Sequence, residues 1–330
     1  MSDKIKLHFT GPRTILADVV PLAMPFSIQV EASQVCNIKC NYCMQSFVDN
    51  RKKSLMTFST FVRMCESIAE FDGKLKTINF AGWGEPLVNP YLPSMIKHAK
   101  CCHITNNIAV ITNGILMTPG VSDMLVEAGT DHIRVSLQGI SGKKYKEISG
   151  REESFKRIVD NIAHLYNNKG NCLVYVKVAD IALDEGDEKR FYDIFHDITD
   201  AMYVEKIRPM FQENVQDGKT ISKYGEEHSP VLVCPQPFFM MAVTATGDVY
   251  PCCSYYDPTS FGNVCDTKLK DIWESREMRS FQKMLLSGKR KEQNRYPVCK
   301  TCHMPDAVIT PGDELDERAG EVLKRYGKKG

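Results

Sequence analysis

SIQVEASQVCNIKCNYC, residues 27–43, is the stretch on which the fold turns. Its first seven residues, SIQVEAS (27–33), alternate apolar and polar side chains with the period of two of a half-buried strand. Cys36, Cys40 and Cys43 follow at once with the spacing C-x3-C-x2-C. An amphipathic pattern over 58–71 then reads as a helix, which completes a first β/α unit. The unit recurs downstream. Strands are predicted at 77–82, 108–113, 132–138 and 173–180, with helices at 91–101, 119–128, 154–168 and 187–200, and a sixth strand at 202–209. Strands alternating with helices predict parallel pairing through right-handed crossovers, hence an α/β fold with a partial (β/α)6 TIM-like barrel. Functional loops should then gather at the C-terminal ends of the strands.

The alternation stops near residue 212, where QENVQDGKTISKYGEEHSP begins. The expected organisation is an N-terminal extension (1–26), the barrel (27–211), a small cysteine-bearing domain (212–305) and a charged tail (306–330) read as a surface helix or tail. The small domain holds a hairpin-like MMAVTATGDVYPCC with Gly247 and Asp248 at its turn, then a helix over DIWESREMRSFQKMLLSG. The 330 residues carry 42 basic and 41 acidic side chains, and a net charge of +1 gives no case for a nucleic-acid partner. The first twenty residues lack the apolar core of a signal peptide and no run of about 18 apolar residues occurs, so a cytoplasmic chain without a membrane partner is expected.

Thirteen cysteines in a chain of this size do not read as disulfide staples; in a reducing compartment, clustered thiols point to metal. Cys65 and Cys172 sit in apolar periodic stretches and read as core residues, as do Cys101 and Cys102. Cys36, Cys40 and Cys43 do not. Three thiolates hold three corners of a cubane and leave one iron open, whereas structural zinc wants four protein ligands and a ferredoxin run supplies a fourth cysteine nearby.

On this triplet the sequence resembles the radical S-adenosylmethionine (radical SAM) superfamily, whose open iron is chelated by the methionine amine and carboxylate of the cofactor. Gly82-Trp83-Gly84-Glu85-Pro86, after the second strand, resembles that family's Gly-Gly-Glu-Pro segment, which meets the methionine amine; Trp83 replaces a glycine. The resemblance places Tyr42 beside the adenine, and Thr112, Asn113, Ser136 and Gln138, at the ends of strands three and four, as ribose and carboxylate contacts. It also implies an electron donor such as a flavodoxin or ferredoxin.

Cys234, Cys252 and the pair Cys299-Lys-Thr-Cys302 supply four further thiols, a set equally compatible with zinc on spacing alone. The run from Cys234 through Gly247 to Cys252 resembles the opening of the SPASM domain. A full SPASM domain needs more cysteines after the CxxC, and none follows Cys302. The remainder resembles the shortened twitch domain, which holds a single auxiliary four-iron, four-sulfur cluster beside the SAM-binding one. Among twitch proteins are the dehydrogenases of the 2-deoxy-scyllo-inosamine type, so the resemblance implies oxidation of a secondary alcohol on an aminocyclitol, sugar or nucleotide-sugar. Arg208, read as ending strand six, is the candidate for contacting and deprotonating the substrate hydroxyl. Two other chemistries stay open: a radical epimerase with Cys253 or Cys265 as hydrogen donor, and a maturase acting on a peptide. Cys253 in place of Cys252 as a cluster ligand also stays open.

Overall fold

The alternation in the six predicted strands has a direct structural outcome in the computed structural model, which describes residues 13–46, 53–208, 219–253 and 259–327. β1 (Ser27–Val30), β2 (Leu75–Phe80), β3 (Thr105–Thr112), β4 (His132–Leu137), β5 (Leu173–Ala179) and β6 (Ala201–Glu205) pair in sequence order, all parallel. After a short α1 (Leu16–Val19), the crossovers are built by α2 (Phe58–Ile68), α3 (Leu92–Cys101), α4 (Pro119–Glu127), α5 (Gly142–Ser149), α6 (Phe155–Asn168) and α7 (Asp187–Phe195). Ile133, Val135 and Leu137 of β4 are sealed in the main core, while His132, Arg134 and Ser136 between them project from the opposite face. The sixth strand ends at Glu205, so Arg208 lies three residues beyond it and does not end it.

α5 is absent from the sequence-based expectation although its ends were legible. Ser141 Oγ accepts a hydrogen bond from the Lys144 N–H at the N-terminus, and Gly150 closes the helix in the left-handed conformation at φ 72°. Its composition, GKKYKEIS, hides a buried stripe of Tyr145, Ile148 and Ser149.

Beyond the barrel, β7 (Thr220–Ile221) and β8 (Glu227–His228) form a short antiparallel ladder. Then β9 (Met240–Val243) lies parallel to β1, with Ser27 opposite Met240 and Val30 opposite Val243. β10 (Asp248–Tyr250) and β11 (Gly262–Asn263) follow antiparallel, and the nine strands run β11-β10-β9-β1-β2-β3-β4-β5-β6. The hairpin expected at 240–253 is therefore not confined to a separate small domain. Without it β1 would be an open edge with unpaired backbone groups. All four side chains of β9 are buried, the mark of a strand covered on both faces.

The predicted helix over 271–288 is two: α8 (Leu269–Glu274) and α9 (Arg276–Leu286), broken at Ser275, whose hydroxyl caps α9 through the Met278 N–H. α10 (Pro297–Thr301), α11 (Met304–Val308) and α12 (Ala319–Gly327) follow. Of the reading of 306–330 as a surface helix or tail, the helix is present as α12, and the surface placement is corrected for its inner face. Val322 and Tyr326 of α12 are buried with Leu16, Val20, Phe238, Phe281 and Leu285 in a second core that draws both ends of the described chain together. Arg325 donates to the carbonyls of Ala17 (2.7 Å) and Val20 (3.2 Å). The charged residues that made this segment look exposed occupy the outer face; the i, i+4 apolar pair beneath them was the signal. No helix among the described residues is long and apolar enough to cross a membrane.

Tyr326 stands edge-on to Phe238, 6.2 Å between ring centroids. Truncation to alanine is expected to cost about 3 kcal/mol, read from urea unfolding of the metal-free protein. A loss below about 1 kcal/mol would place α12 at the periphery.

Candidate functional site

At the C-terminal mouth of the barrel, the chain leaving β1 is fastened to the loop leaving β2. Glu31 Oε1 accepts the Trp83 N–H at 3.1 Å, and the Glu85 N–H donates to the Val35 carbonyl at 2.9 Å. A Cβ on Gly84 would lie 2.0 Å from the Ser33 carbonyl oxygen, and one on Gly82 would lie 2.8 Å from Glu31 Cγ. Gly84 is thus required by backbone approach, and Gly82, at φ 157°, by the Glu31 side chain packed against it: a side chain at Gly84 would lift this loop off the segment that leads into Cys36.

The Glu85 carboxylate is buried and fully engaged. Oε1 accepts from the Thr112 hydroxyl (2.7 Å) and the Leu87 N–H (3.1 Å), and Oε2 from the Asn113 N–H (2.7 Å). Burial pushes its pKa upward against these three hydrogen bonds. In this arrangement Glu85 and Thr112 bolt the β2 and β3 loops together. Asn113 Nδ2 reaches Asn37 Oδ1 (2.7 Å) and lies 3.9 Å from Cys36 Sγ.

From the other side, Gln138 Oε1 accepts from the Tyr42 hydroxyl (2.5 Å) and from Cys40 Sγ (3.2 Å), while Gln138 Nε2 donates to the Ser136 carbonyl. The ends of β2, β3 and β4 therefore converge on the 36–43 loop, where the sequence placed Tyr42, Gly82, Gly84, Glu85, Thr112, Asn113, Ser136 and Gln138. Burial pushes the Cys36 thiol up to about 11 and the Cys40 thiol up to about 12, with neighbouring negative groups, Cys43 among them, adding to it. Iron would stabilise these thiolates. Two polar atoms on this loop, Gln34 Oε1 and Asn37 Nδ2, are buried without a partner. Three thiols and partnerless polar atoms at one mouth fit a cluster with an open corner and a polar ligand upon it.

The second set also assembles. Cys234, Cys252, Cys299 and Cys302 line one largely apolar cavity together with Pro237, Phe281, Leu285 and Arg290. Cys253 turns aside to Gln236 Oε1, 3.0 Å away. Cys265 is exposed and outside this lining. Among the described residues no three thiol, imidazole or carboxylate groups converge on a point that a single ion could occupy. A cubane takes one thiolate per corner iron and suits thiols set apart around a cavity.

Sequence reading passed over Arg290, hidden in the basic run GKRKEQNR. It is 3% exposed; Nη1 donates to the carbonyls of Cys302 (2.6 Å) and Cys299 (3.3 Å), and Nη2 to that of Val231 (3.1 Å). It therefore ties the CxxC turn to the segment entering Cys234. Arg208 is half-buried, with a buried Nε that has no partner.

Anaerobic reconstitution separates Cys252 from Cys253. The parent should take up about eight irons per chain, Cys253→Ala the same, and Cys252→Ala about four. Equal loss in both variants would remove the distinction.

Three comparisons bear on this geometry. The family model of the radical SAM superfamily matches residues 30–197, and that of the iron-sulfur cluster-binding domain SPASM matches 234–303. A probable GTP 3',8-cyclase of Methanococcus vannielii is 34% identical over 140 residues, 42% of this chain and 46% of that protein. The chain spans less than half the length of this and other such cyclases, 40% of the one from Chlorobaculum tepidum. Among solved structures, BtrN in complex with AdoMet and 2-DOIA has a TM-score of 0.56 at 21% identity, covering 84% of this chain and 93% of that one. Native anSMEcpe with bound AdoMet has a TM-score of 0.59 at 17% identity, covering 92% and 97%. Both share the fold. The matched families bring S-adenosylmethionine and iron-sulfur clusters in both halves of the chain. The chain, with its barrel, its cysteine triplet and its second cysteine cavity, belongs to the radical SAM superfamily.

Proposed function

We propose that the protein is a radical SAM dehydrogenase that oxidises a secondary alcohol of a polyhydroxylated small molecule to a ketone. The observation that carries this reading is the second cavity, which four cysteines line together, the number that would ligate every iron of a four-iron cluster. A cluster with every iron held by protein has no corner free for substrate, which leaves it the role of electron acceptor. That BtrN was crystallised with a small molecule, 2-DOIA, supports the same class of substrate.

When bound, S-adenosylmethionine and the clusters supply a 5′-deoxyadenosyl radical that takes one hydrogen atom from the carbinol carbon, and an acceptor for the electron left behind. The chain's own residues orient and protect. Cys36, Cys40 and Cys43 hold the first cluster, and Gly82 and Gly84 let the cofactor loop lie against the cysteine segment. Tyr42 and Gln138 brace each other at one side of the mouth, with Thr112, Asn113 and Ser136 at the strand ends beside them. Arg208 is assigned the hydroxyl: its half-buried guanidinium would donate a hydrogen bond to the alcohol oxygen while the hydroxyl proton passes to water. One electron would enter from a flavodoxin or ferredoxin, and Cys234, Cys252, Cys299 and Cys302 would hold the group that accepts the other, so no nicotinamide is required.

Incubation of the reduced holoenzyme with its substrate should give 5′-deoxyadenosine and ketone in equal amounts, with no deuterium from solvent at the reacting carbon. Solvent deuterium there, abolished by Cys253→Ala, would instead establish epimerisation with that thiol as donor. Burial pushes the Cys253 pKa up to about 11, so it remains a protonated thiol at neutral pH.

A further inference from the structure

Four charged side chains have no part in the preceding chemistry: Arg134, Lys177 and Glu205 on β4, β5 and β6, and Lys223 on the loop after β7. Lys177 of β5 donates to Glu205 Oε2 at 2.6 Å, and Lys223 reaches Glu205 Oε1 at 3.0 Å. Lys223 arrives from the loop after β7, held by the Lys206 N–H on its carbonyl and by its own N–H on the Ala307 carbonyl, both 2.9 Å. Strand register gives the depth. Lys177 pairs with Ser136 on one side and Tyr203 on the other. Glu205 pairs with Ala179, in the row just past Leu137 and Val178, which is the row of Gln138. Glu205 therefore stands two strands, about 10 Å, across the sheet from the glutamine that touches Cys40 and Tyr42. Arg134 is one step deeper on β4, opposite Tyr175.

The charges do not balance. Glu205 is the only carboxylate within ion-pair distance of either lysine among the described residues. Burial alone would raise its pKa; the two ammonium groups overcome that and hold it down to about 2, so it is ionised and neutralises only one of them. Arg134 stands in no ion pair among the described residues, and burial together with the Lys223 and Arg134 charges pushes the Lys177 pKa down, the mark of a row short of negative charge. A pair that served only to tie the 219–228 loop to β6 would need one lysine. Excess positive charge away from bulk water is costly unless an anion completes it. Nor is the row sealed: Lys177 keeps 20% of its side-chain surface accessible and Lys223 29%.

We propose that Lys177, Lys223 and Arg134, set by Glu205, form an anion subsite of the substrate pocket, and that the substrate is a sugar or cyclitol carrying a phosphate group. This rests on the reading of the barrel as a small-molecule site. Two uncompensated cations match the two charges of a phosphate monoester or the diphosphate of a nucleotide-sugar. A dianion held here would present the attached ring toward the mouth where Tyr42 and Gln138 stand.

Calorimetric titration of the S-adenosylmethionine-loaded holoenzyme, without reductant, tests the subsite apart from any turnover. The probes are inorganic phosphate, pyrophosphate and, for the carboxylate arm, acetate. Phosphate and pyrophosphate are expected to bind at least about tenfold more tightly than acetate. Lys223→Met should weaken pyrophosphate about tenfold, whereas Glu205→Gln, which removes the internal counter-charge, should tighten it. A merely structural triad would not give that opposite sign. No binding of either phosphate probe, or Lys223→Met and Glu205→Gln shifting it in the same direction, overturns the proposal. Failure of the dehydrogenase reading would show separately, as phosphate binding intact with no ketone formed.

Discussion

The contact between Gly84 and the Ser33 carbonyl is the constraint on which the barrel mouth depends. Two loops from neighbouring parallel strands come so close that there is room for backbone only. Once they touch, the Glu85 N–H completes Val35, and the Glu85 side chain reaches on to Thr112 and Asn113 of the next strand. Three strand ends are then fastened to one another, and the cysteine loop has a floor. A buried carboxylate is tolerated there because three hydrogen bonds offset the cost of burying it.

Much of this was legible in sequence because it depends on local rules. Period-two alternation located all six barrel strands to within a few residues, and the C-x3-C-x2-C spacing with GWGEP singled out the mouth. What escaped was long-range. Nothing local tells β9 to pair with β1, since MMAV is a short apolar run equally at home in an isolated hairpin. Nothing local shows that Arg290 folds inward to three carbonyls while its neighbours Lys289 and Lys291 stay exposed. The strand-six boundary was drawn too late because EKIRP continues the alternation after the backbone has left the sheet.

The two cysteine sites differ in the kind of packing around them. The first lies among polar strand-end side chains with partnerless atoms, whereas the second lies among Pro237, Phe281 and Leu285 beside one buried guanidinium. A polar mouth accommodates a charged cofactor that comes and goes. An apolar, cation-backed cavity suits a group that stays and changes only its electron count.

The pairing of β1 with β9 also sets an order of events during synthesis. Ser27 finds its second neighbour only when Met240 has emerged, more than half the chain later. Until then the strand that feeds the first cysteine loop has an open edge, and the second core, which needs both Leu16 and Tyr326, does not exist. Contacts of such sequence separation form late and slowly. The nascent barrel therefore presents Cys36, Cys40 and Cys43 on an unfinished support. The second core closes only once the ribosome has delivered α12.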